Sequence, residues 1–325
     1  MELTDTFGRK INYLRLSVTD RCNMRCVYCM PAEGISLLTH DDILSYEDLL
    51  FIAKTAVAMG IEKIRVTGGE PLVRKGIVSF LTRLAAIPGL RQLVLTTNGL
   101  QLDEMAESLR QAGVQRLNIS LDSLRQETFA SITRGADLNR VMAGIATAER
   151  AGFPIKINMV AMRGINDSEI LDFAALTLDR PLTVRFIEYM PAIKAENWES
   201  SVVPGDSILD RIGRRFSLTS LERDGLSGPA RTFRISGAAG TIGVITAVSG
   251  HFCGECNRIR VTAAGRARSC LFADTGFDLK PMLARGDEAG LADLLRAVVA
   301  HKPGRHSLAA TDEQHTPFAM SAIGG

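Results

Sequence analysis

Six cysteines stand in two groups of three, Cys22, Cys26, Cys29 and Cys253, Cys256, Cys270, with more than 220 cysteine-free residues between them. So few thiols in 325 residues do not make a disulfide scaffold, and thiols gathered this way point to metal. The first group, Cys22-Asn-Met-Arg-Cys26-Val-Tyr-Cys29, is a C-x3-C-x2-C loop. Zinc sites pair C-x2-C knuckles and take four protein ligands. Three thiolates on one short loop instead suit three corners of a [4Fe–4S] cube, leaving the fourth iron open to an outside ligand. The second group, Cys253-Gly-Glu-Cys256-Asn-Arg258-Ile259-Arg260 with Cys270 fourteen residues after Cys256, again lacks a fourth cysteine. Another open-cornered cluster is the sharper reading; a zinc site completed by His251 is the alternative.

The elements that must carry these groups follow from periodicity. Runs at 13–19, 61–67, 90–97, 114–122, 155–162 and 182–190 are short and β-branched and read as strands. Amphipathic helical patterns lie between them, such as 46–59 and 139–152, the latter stopped by Gly152 and Pro154. Repeated strand–helix units argue for a parallel sheet covered by helices. Six units are too few for a closed eight-fold barrel, so the expected fold is α/β, a partial (β/α)6 TIM-type barrel over residues 1–225. A doubly wound open sheet is the alternative. Residues 226–325 form an α+β extension with strands at 231–237 and 240–248 and a helix at 288–300, preceded by a helix at 206–215. The tail from 302 onward shows no period and reads as loosely ordered until it folds onto something.

The first triad directly follows the first strand, and polar groups mark other strand ends: Gly68-Gly69-Glu70-Pro71, Thr96-Thr97-Asn98-Gly99, Ser120-Leu121-Asp122 and Glu188-Tyr189-Met190. The carboxyl ends of strands carry the site in parallel α/β folds. Arg15 and Arg65 sit within strands, flanked by Leu14 and Leu16 and by Ile64 and Val66, which places them opposite the outward apolar face. An inward arginine needs a partner: an anionic ligand, or a carboxylate such as Glu70 or Glu188.

The C-x3-C-x2-C loop, with an aromatic before its last cysteine, resembles the radical S-adenosylmethionine superfamily. C-x2-C-N-R-x-R-x9-C resembles the second-cluster motif of the GTP 3′,8-cyclase family, which opens molybdenum cofactor biosynthesis. The resemblance runs from Tyr13-Leu-Arg-Leu-Ser to the terminal Gly324-Gly325. It implies two [4Fe–4S] clusters held by the six cysteines, and S-adenosyl-L-methionine contacted by Tyr28, Gly69, Ser120 and Met190. Close backbone approach to the methionine amino group is the reason expected for the glycines. It further implies GTP bound by Arg15, Arg65, Thr96, Lys156, Arg258, Ile259 and Arg260, with Arg15 and the first triad at the catalytic centre and a tail that contacts GTP. A one-electron reductant and the next enzyme of the pathway, cyclic pyranopterin monophosphate synthase, are the implied partners.

Composition agrees with a few placed arginines rather than a basic surface: 38 Lys and Arg against 36 Asp and Glu give a formal charge of +2. That balance and the lack of an aromatic–basic strand pattern argue against a nucleic-acid binder. No P-loop is present, so phosphates would rest on side chains. No apolar signal core follows the polar start and no run of about 18 apolar residues occurs, so a cytoplasmic protein with no membrane partner is expected, monomer and homodimer both open. The rival readings are a radical enzyme acting on a peptide and a zinc-stabilised regulatory or RNA-binding protein.

Overall fold

A computed structural model describes residues 2–190, 198–222, 225–250, 252–273, 276–306 and 320–323. Its strands are β1 (Tyr13–Ser17), β2 (Lys63–Thr67), β3 (Gln92–Thr97), β4 (Arg116–Ser120), β5 (Ile155–Ala161), β6 (Thr183–Glu188), β7 (Leu218–Leu221), β8 (Arg231–Ile235), β9 (Thr241–Ile245), β10 (Arg258–Val261), β11 (Arg266–Arg268) and β12 (Phe277–Asp278). The helices are α1 (Tyr46–Ala58), α2 (Ile77–Ala85), α3 (Leu102–Gln111), α4 (Gln126–Thr133), α5 (Leu138–Arg150), α6 (Ile170–Asp179), α7 (Gly205–Gly213), α8 (Lys280–Arg285), α9 (Glu288–Ala300) and α10 (Met320–Ile323). Among these described residues no helix is long and apolar enough to cross a membrane.

One twelve-stranded sheet runs β12-β11-β10-β1-β2-β3-β4-β5-β6-β9-β8-β7. Strands β1 to β6 are parallel, as the alternating pattern predicts, with β10 added parallel to β1 and β9 parallel to β6. The extension expected after residue 226 thus builds its strands into the barrel sheet, because β1 and β6 would otherwise leave unpaired edges. Two-residue periodicity then sorts the side chains. Leu14, Leu16, Ile64, Val66, Leu95, Leu117, Ile119, Ile157, Val184, Phe186 and Ile259 face the helices and are fully buried in one apolar core. Each such side chain contributes about 1.5–3 kcal/mol. Their alternate neighbours, Arg15, Arg65, Thr96, Asn158, Arg185 and Arg260, face the concave side.

Local signals start the helices where the sequence places them. Ser45 and Asp48 form a capping box at α1, and Asp137 caps α5 by accepting from the Asn139 amide. Strand β1 ends at Ser17, short of the expected 19, because the chain beyond it turns to pair with the loop after β2: the Gly69 amide donates to Thr19 O at 2.6 Å and the Glu70 amide to Arg21 O at 2.8 Å.

The link from β9 to β10 joins the two ends of the parallel set. Both strands run parallel to the rest but lie at opposite ends of the parallel set, so residues 246–257 pass from the carboxyl rim at β9 to the amino rim at β10. Glu188, at the carboxyl end of β6, pins the start of this strap. Its carboxylate accepts from the amides of Val248 at 2.7 Å, Ser249 at 2.9 Å and Gly205 at 2.7 Å, and from the Ser249 hydroxyl. The strap ends with Asn257 O accepting from the Tyr13 amide at 3.2 Å.

Removing the Glu188 carboxylate strands the buried Gly205 amide, at a cost of about 1–3 kcal/mol, and takes the acceptor from the half-buried Val248 amide and from exposed Ser249. Glu188→Ala should therefore lower the unfolding free energy by about 2 kcal/mol, read from urea titration of the metal-free protein. A loss below about 1 kcal/mol would show that the strap does not depend on this anchor.

Candidate active site

The concave side holds a cavity of about 1340 Å³ including its open mouth. Among the described residues it is lined by Arg9, Arg15, Arg65, Arg185, Arg258, Arg260 and Lys302, against a single carboxylate, Asp122. Register explains the crowding: Arg15 is paired with Arg65 on one side and Arg260 on the other, so three guanidinium groups sit at one level on neighbouring strands. Burial, then the neighbouring Arg260 and Arg65, holds the Arg15 guanidinium well below its ordinary proton affinity. Burial brings Arg185 and Arg260 down to about 9, with Arg65 and Arg258 respectively the strongest repelling neighbours. Glu70 and Glu188, the carboxylates considered as arginine partners, are engaged elsewhere. Glu188 holds the strap, and Glu70 accepts from the Leu72 amide at 3.0 Å, the Asn98 amide at 2.7 Å and the Thr97 hydroxyl at 2.8 Å. Burial still pushes Glu70 up to about 7.

The two triads lie at opposite rims. Cys22, Cys26 and Cys29 follow the carboxyl end of β1 and line a smaller cavity with Gly68, Gly69 and Asn98. Cys253, Cys256 and Cys270 gather at the amino rim and line the larger one. Tyr28, Thr96, Ser120, Asp122 and Met320 line both cavities, so the two spaces adjoin. All six cysteines are free, and among the described residues no three His, Cys, Asp or Glu form a site for a metal ion. Each triad instead presents three thiols on the wall of a cavity, which fits a cluster with one open corner better than a closed zinc site. His251, the fourth ligand a zinc site would need, lies outside the described residues. Burial, then Asp122 and the other two thiols, pushes Cys26 well above the ordinary thiol range. Burial also opposes the Cys256 thiolate, but Arg258 and Lys302 outweigh it and bring Cys256 down to about 6. That thiol is ready to ligate near neutral pH.

The first loop is held from several sides. Its Arg25 and Val27 amides donate to Thr133 O and Ile132 O at the end of α4, at 3.2 and 2.9 Å. Arg134, left-handed at φ 58°, donates to Arg25 O at 2.7 Å and Met30 O at 2.9 Å. The Met320 amide donates to Cys29 O at 3.2 Å. A Cβ on Gly69 would lie 2.3 Å from Arg21 O, and one on Gly68 2.7 Å from Thr19 O. The neighbouring chain that leads into the triad thus requires both glycines.

Of the residues singled out beforehand, Tyr28, Ser120, Met190, Arg15, Arg65, Thr96, Arg258 and Arg260 line the larger cavity, and Gly69 lines the smaller. Lys156 and Ile259 line neither. Ile259 points into the core, whereas Lys156 lies on the inward phase of β5, brought down to about 7 by burial and then by Arg185. The terminal Gly324-Gly325 lies outside the described residues. Sequence reasoning missed Arg9, Arg185 and Lys302, and marked Asp122 only as part of a strand-end motif. Arg185 was within reach, since Val184 and Phe186 flank it as apolar residues flank Arg15 and Arg65. Its Nη2 donates to Asn118 Oδ1 at 2.5 Å, and Gly243 makes room, since a Cβ there would meet its Cγ at 2.8 Å. Asp122 joins three elements: Oδ2 accepts from the Tyr28 hydroxyl at 2.7 Å and Oδ1 from the Val160 amide at 2.8 Å.

A curled parallel sheet with a C-x3-C-x2-C loop at its carboxyl rim, over a cavity between strand ends, defines a radical S-adenosylmethionine fold. Comparison with known proteins agrees. Residues 16–177 match the Radical SAM superfamily and residues 182–308 match Molybdenum Cofactor Synthesis C. The chain is 66 % identical to the GTP 3′,8-cyclase of Geobacter sulfurreducens over 326 aligned positions, covering 100 % of both chains. It is 47 % identical to that of Moorella thermoacetica, covering 99 % of this chain and 100 % of that one. In fold it resembles Streptococcus suis SuiB bound to S-adenosylmethionine, with a TM-score of 0.57 at 13 % identity over 90 % of this chain and 69 % of SuiB. The chain belongs to the GTP 3′,8-cyclase family.

Burial holds Asp122 up at about 6 in the folded chain. A carboxyl group with a raised folded pKa binds more protons folded than unfolded, so its contribution to stability falls as pH rises from its unfolded value of about 4 toward 6. Between pH 5 and 7 the metal-free protein should lose about 1 kcal/mol through this group. Asp122→Asn keeps the shape without the titration, and its Tm should change less between those two pH values. An equal change in both proteins would remove Asp122 as the source.

Proposed function

We infer that the chain carries GTP 3′,8-cyclase activity. It is a lyase converting GTP to (8S)-3′,8-cyclo-7,8-dihydroguanosine 5′-triphosphate at the first step of molybdenum cofactor biosynthesis. The observation that carries this reading is the column of buried arginines lying between two cysteine triads at opposite rims. A triphosphate is the kind of ligand such a column suits, since arginine presents a planar fork to phosphate oxygens. Among the described residues, Nε of Arg65 and of Arg185 and Oγ1 of Thr96 are buried without a hydrogen-bond partner, as expected of groups that wait for a ligand.

In this reading Cys22, Cys26 and Cys29 hold one [4Fe–4S] cluster and Cys253, Cys256 and Cys270 the other. Residues 1–225 serve the first site, and 226–325 serve the second and supply a tail that contacts GTP. When bound, the first cluster and S-adenosyl-L-methionine would supply one-electron chemistry. The chain supplies placement. Tyr28, Gly69, Ser120 and Met190 line the S-adenosylmethionine site, with Tyr28 fixed by Asp122. Arg15, Arg65, Thr96, Arg258 and Arg260 bind the nucleotide, with Arg15 next to the reacting sugar; Ile259 serves through its backbone, and Lys156 adds charge beside Arg185. Enclosure in the barrel excludes water and fixes the sugar and the base relative to each other. A one-electron donor and cyclic pyranopterin monophosphate synthase complete the scheme, in the cytoplasm.

Anaerobically reconstituted protein should hold about eight iron atoms and, given reductant, form 5′-deoxyadenosine and the cyclised nucleotide only when GTP is present. Replacing Cys22, Cys26 and Cys29 by Ala should leave roughly half the iron and abolish both products. Full iron retention in that variant, or turnover indifferent to GTP in the wild type, would overturn the reading.

Arg258→Ala/Arg260→Ala should keep both clusters and still cleave S-adenosylmethionine slowly. Its GTP affinity should fall about tenfold or more, since hydrogen bonds to charged groups contribute about 1.5–3 kcal/mol each. Calorimetric titration with GTP measures this, and unchanged affinity would exclude both arginines as phosphate ligands.

A further inference from the structure

The segment ahead of β1 and the turn after α9 converge on the second triad. Ahead of β1, the carboxylate of Asp5 closes a turn, with Oδ1 accepting from the amides of Phe7 and Arg9 at 2.9 Å each. Arg9 is only 9 % exposed, and its guanidinium reaches three ways. Nε meets Asp5 Oδ2 at 2.5 Å, Nη1 donates to Cys253 O at 2.5 Å, and Nη2 donates to Pro303 O at 2.8 Å. One side chain thereby joins positions 244 and 294 residues away along the sequence. Phe7 completes the seat: the Arg9 guanidinium lies 5.1 Å from its ring centroid. Gly304 packs so closely that a Cβ there would lie 2.9 Å from ring atoms.

Pro303 and Gly304 belong to a turn that bears Lys302 and His306. Lys302 is buried, and its ammonium donates to Arg258 O and Ser269 O at 2.8 Å each. These carbonyls lie two residues after Cys256 and one before Cys270. His306, also buried, stacks at a tilt against Phe272, ring centroids 4.9 Å apart. The backbone at Cys253 is gripped by Arg9, and that beside Cys256 and Cys270 by the turn which Arg9 seats. The guanidinium carries hydrogen bonds from Nε, Nη1 and Nη2 and is neutralised by Asp5. Although it lines the larger cavity, it acts as a brace there rather than as a phosphate ligand.

We propose that Arg9 is a positioning residue for the second cysteine triad, seating the 302–306 turn against the Cys253 loop so that the segment ahead of β1 and the turn after α9 together wall the site. The proposal rests on the reading that this triad ligates a cluster. A planar three-way fork is what the geometry uses, and lysine has no equivalent of it.

The test measures alkylation of each cysteine by iodoacetamide in metal-free, full-length protein, resolved by mass spectrometry. It compares wild type, Arg9→Lys, and Asp5→Asn/Arg9→Gln, the last of which leaves no buried carboxylate stranded. In the double variant Cys253, Cys256 and Cys270 should react about tenfold faster or more, as loss of charged hydrogen bonds implies, while Cys22, Cys26 and Cys29 keep their wild-type rates. Arg9→Lys should restore part of the protection. After reconstitution, the double variant should give up the iron of the second site to a chelator and retain that of the first. Unchanged rates at the second triad would overturn the proposal, and so would an equal rise at all six thiols, which would mark Arg9 as a general stabiliser. If wild-type protein holds no iron on the second triad, the cluster reading fails, and the alkylation rates still decide the role of Arg9.

Discussion

Arg15, Arg65 and Arg260 lie side by side inside a barrel, with Arg185 on the far strand, and this buried cluster of like charge sets the terms for the rest of the fold. Moving a charge out of water costs several kcal/mol even after relaxation, and like neighbours add to the cost. The structure carries that burden through features around the cluster. Apolar neighbours on the same strands anchor each arginine by filling the helix-facing core. Asn118 accepts from Arg185, and Gly243 gives it room. What remains is a cavity whose electrostatics favour a compact polyanion, the binding of which would relieve the host.

The reaction needs two chemically different ends, and a parallel barrel has them. Its carboxyl rim offers loops directly after strands, where the first triad, the Gly68-Gly69 turn and Asp122 meet. Its amino rim has no such loops of its own in a simple barrel. Here the strap from β9 to β10, the chain leaving β11, the segment ahead of β1 and the turn after α9 supply them, and the second triad sits there. The arginine column connects the rims, and Tyr28, Thr96, Ser120, Asp122 and Met320 border both spaces.

Much of this was legible in the sequence. The β-branched runs placed β1 to β6 within two residues or so at either end, and alternation around Arg15 and Arg65 predicted which way they face. The cysteine spacing carried the chemistry, and the family findings agree with it. What stayed hidden depends on contacts far apart in the chain. Nothing local in Arg258-Ile259-Arg260 announces that it pairs with β1, so the sheet proved longer than six strands. Asp122 stood in a strand-end motif, but its link to Tyr28 spans 94 residues. Arg9 and Lys302 lie outside any motif and acquire their roles only when the segment ahead of β1 meets the turn after α9. Arg185 is a different case, since the alternation that exposed Arg15 applied equally to it.

The strap also has a consequence for how the chain is made. Strand β1 is synthesised early, but its outer neighbour β10 begins at residue 258, so the register of Arg15 with Arg260 closes only when most of the polypeptide has left the ribosome. Until then the edge of β1, which leads straight into the first triad, lacks its partner, and unpaired edges invite wrong pairings between nascent chains. Long-range strand pairing of this kind is also slow, because the closure entropy of the intervening chain must be overcome first. Completion of the barrel is therefore a late event, governed by the C-terminal third of the chain. An N-terminal fragment containing all of β1 to β6 would possess the first triad yet lack both the strand that covers β1 and two of the arginines that make the cavity basic.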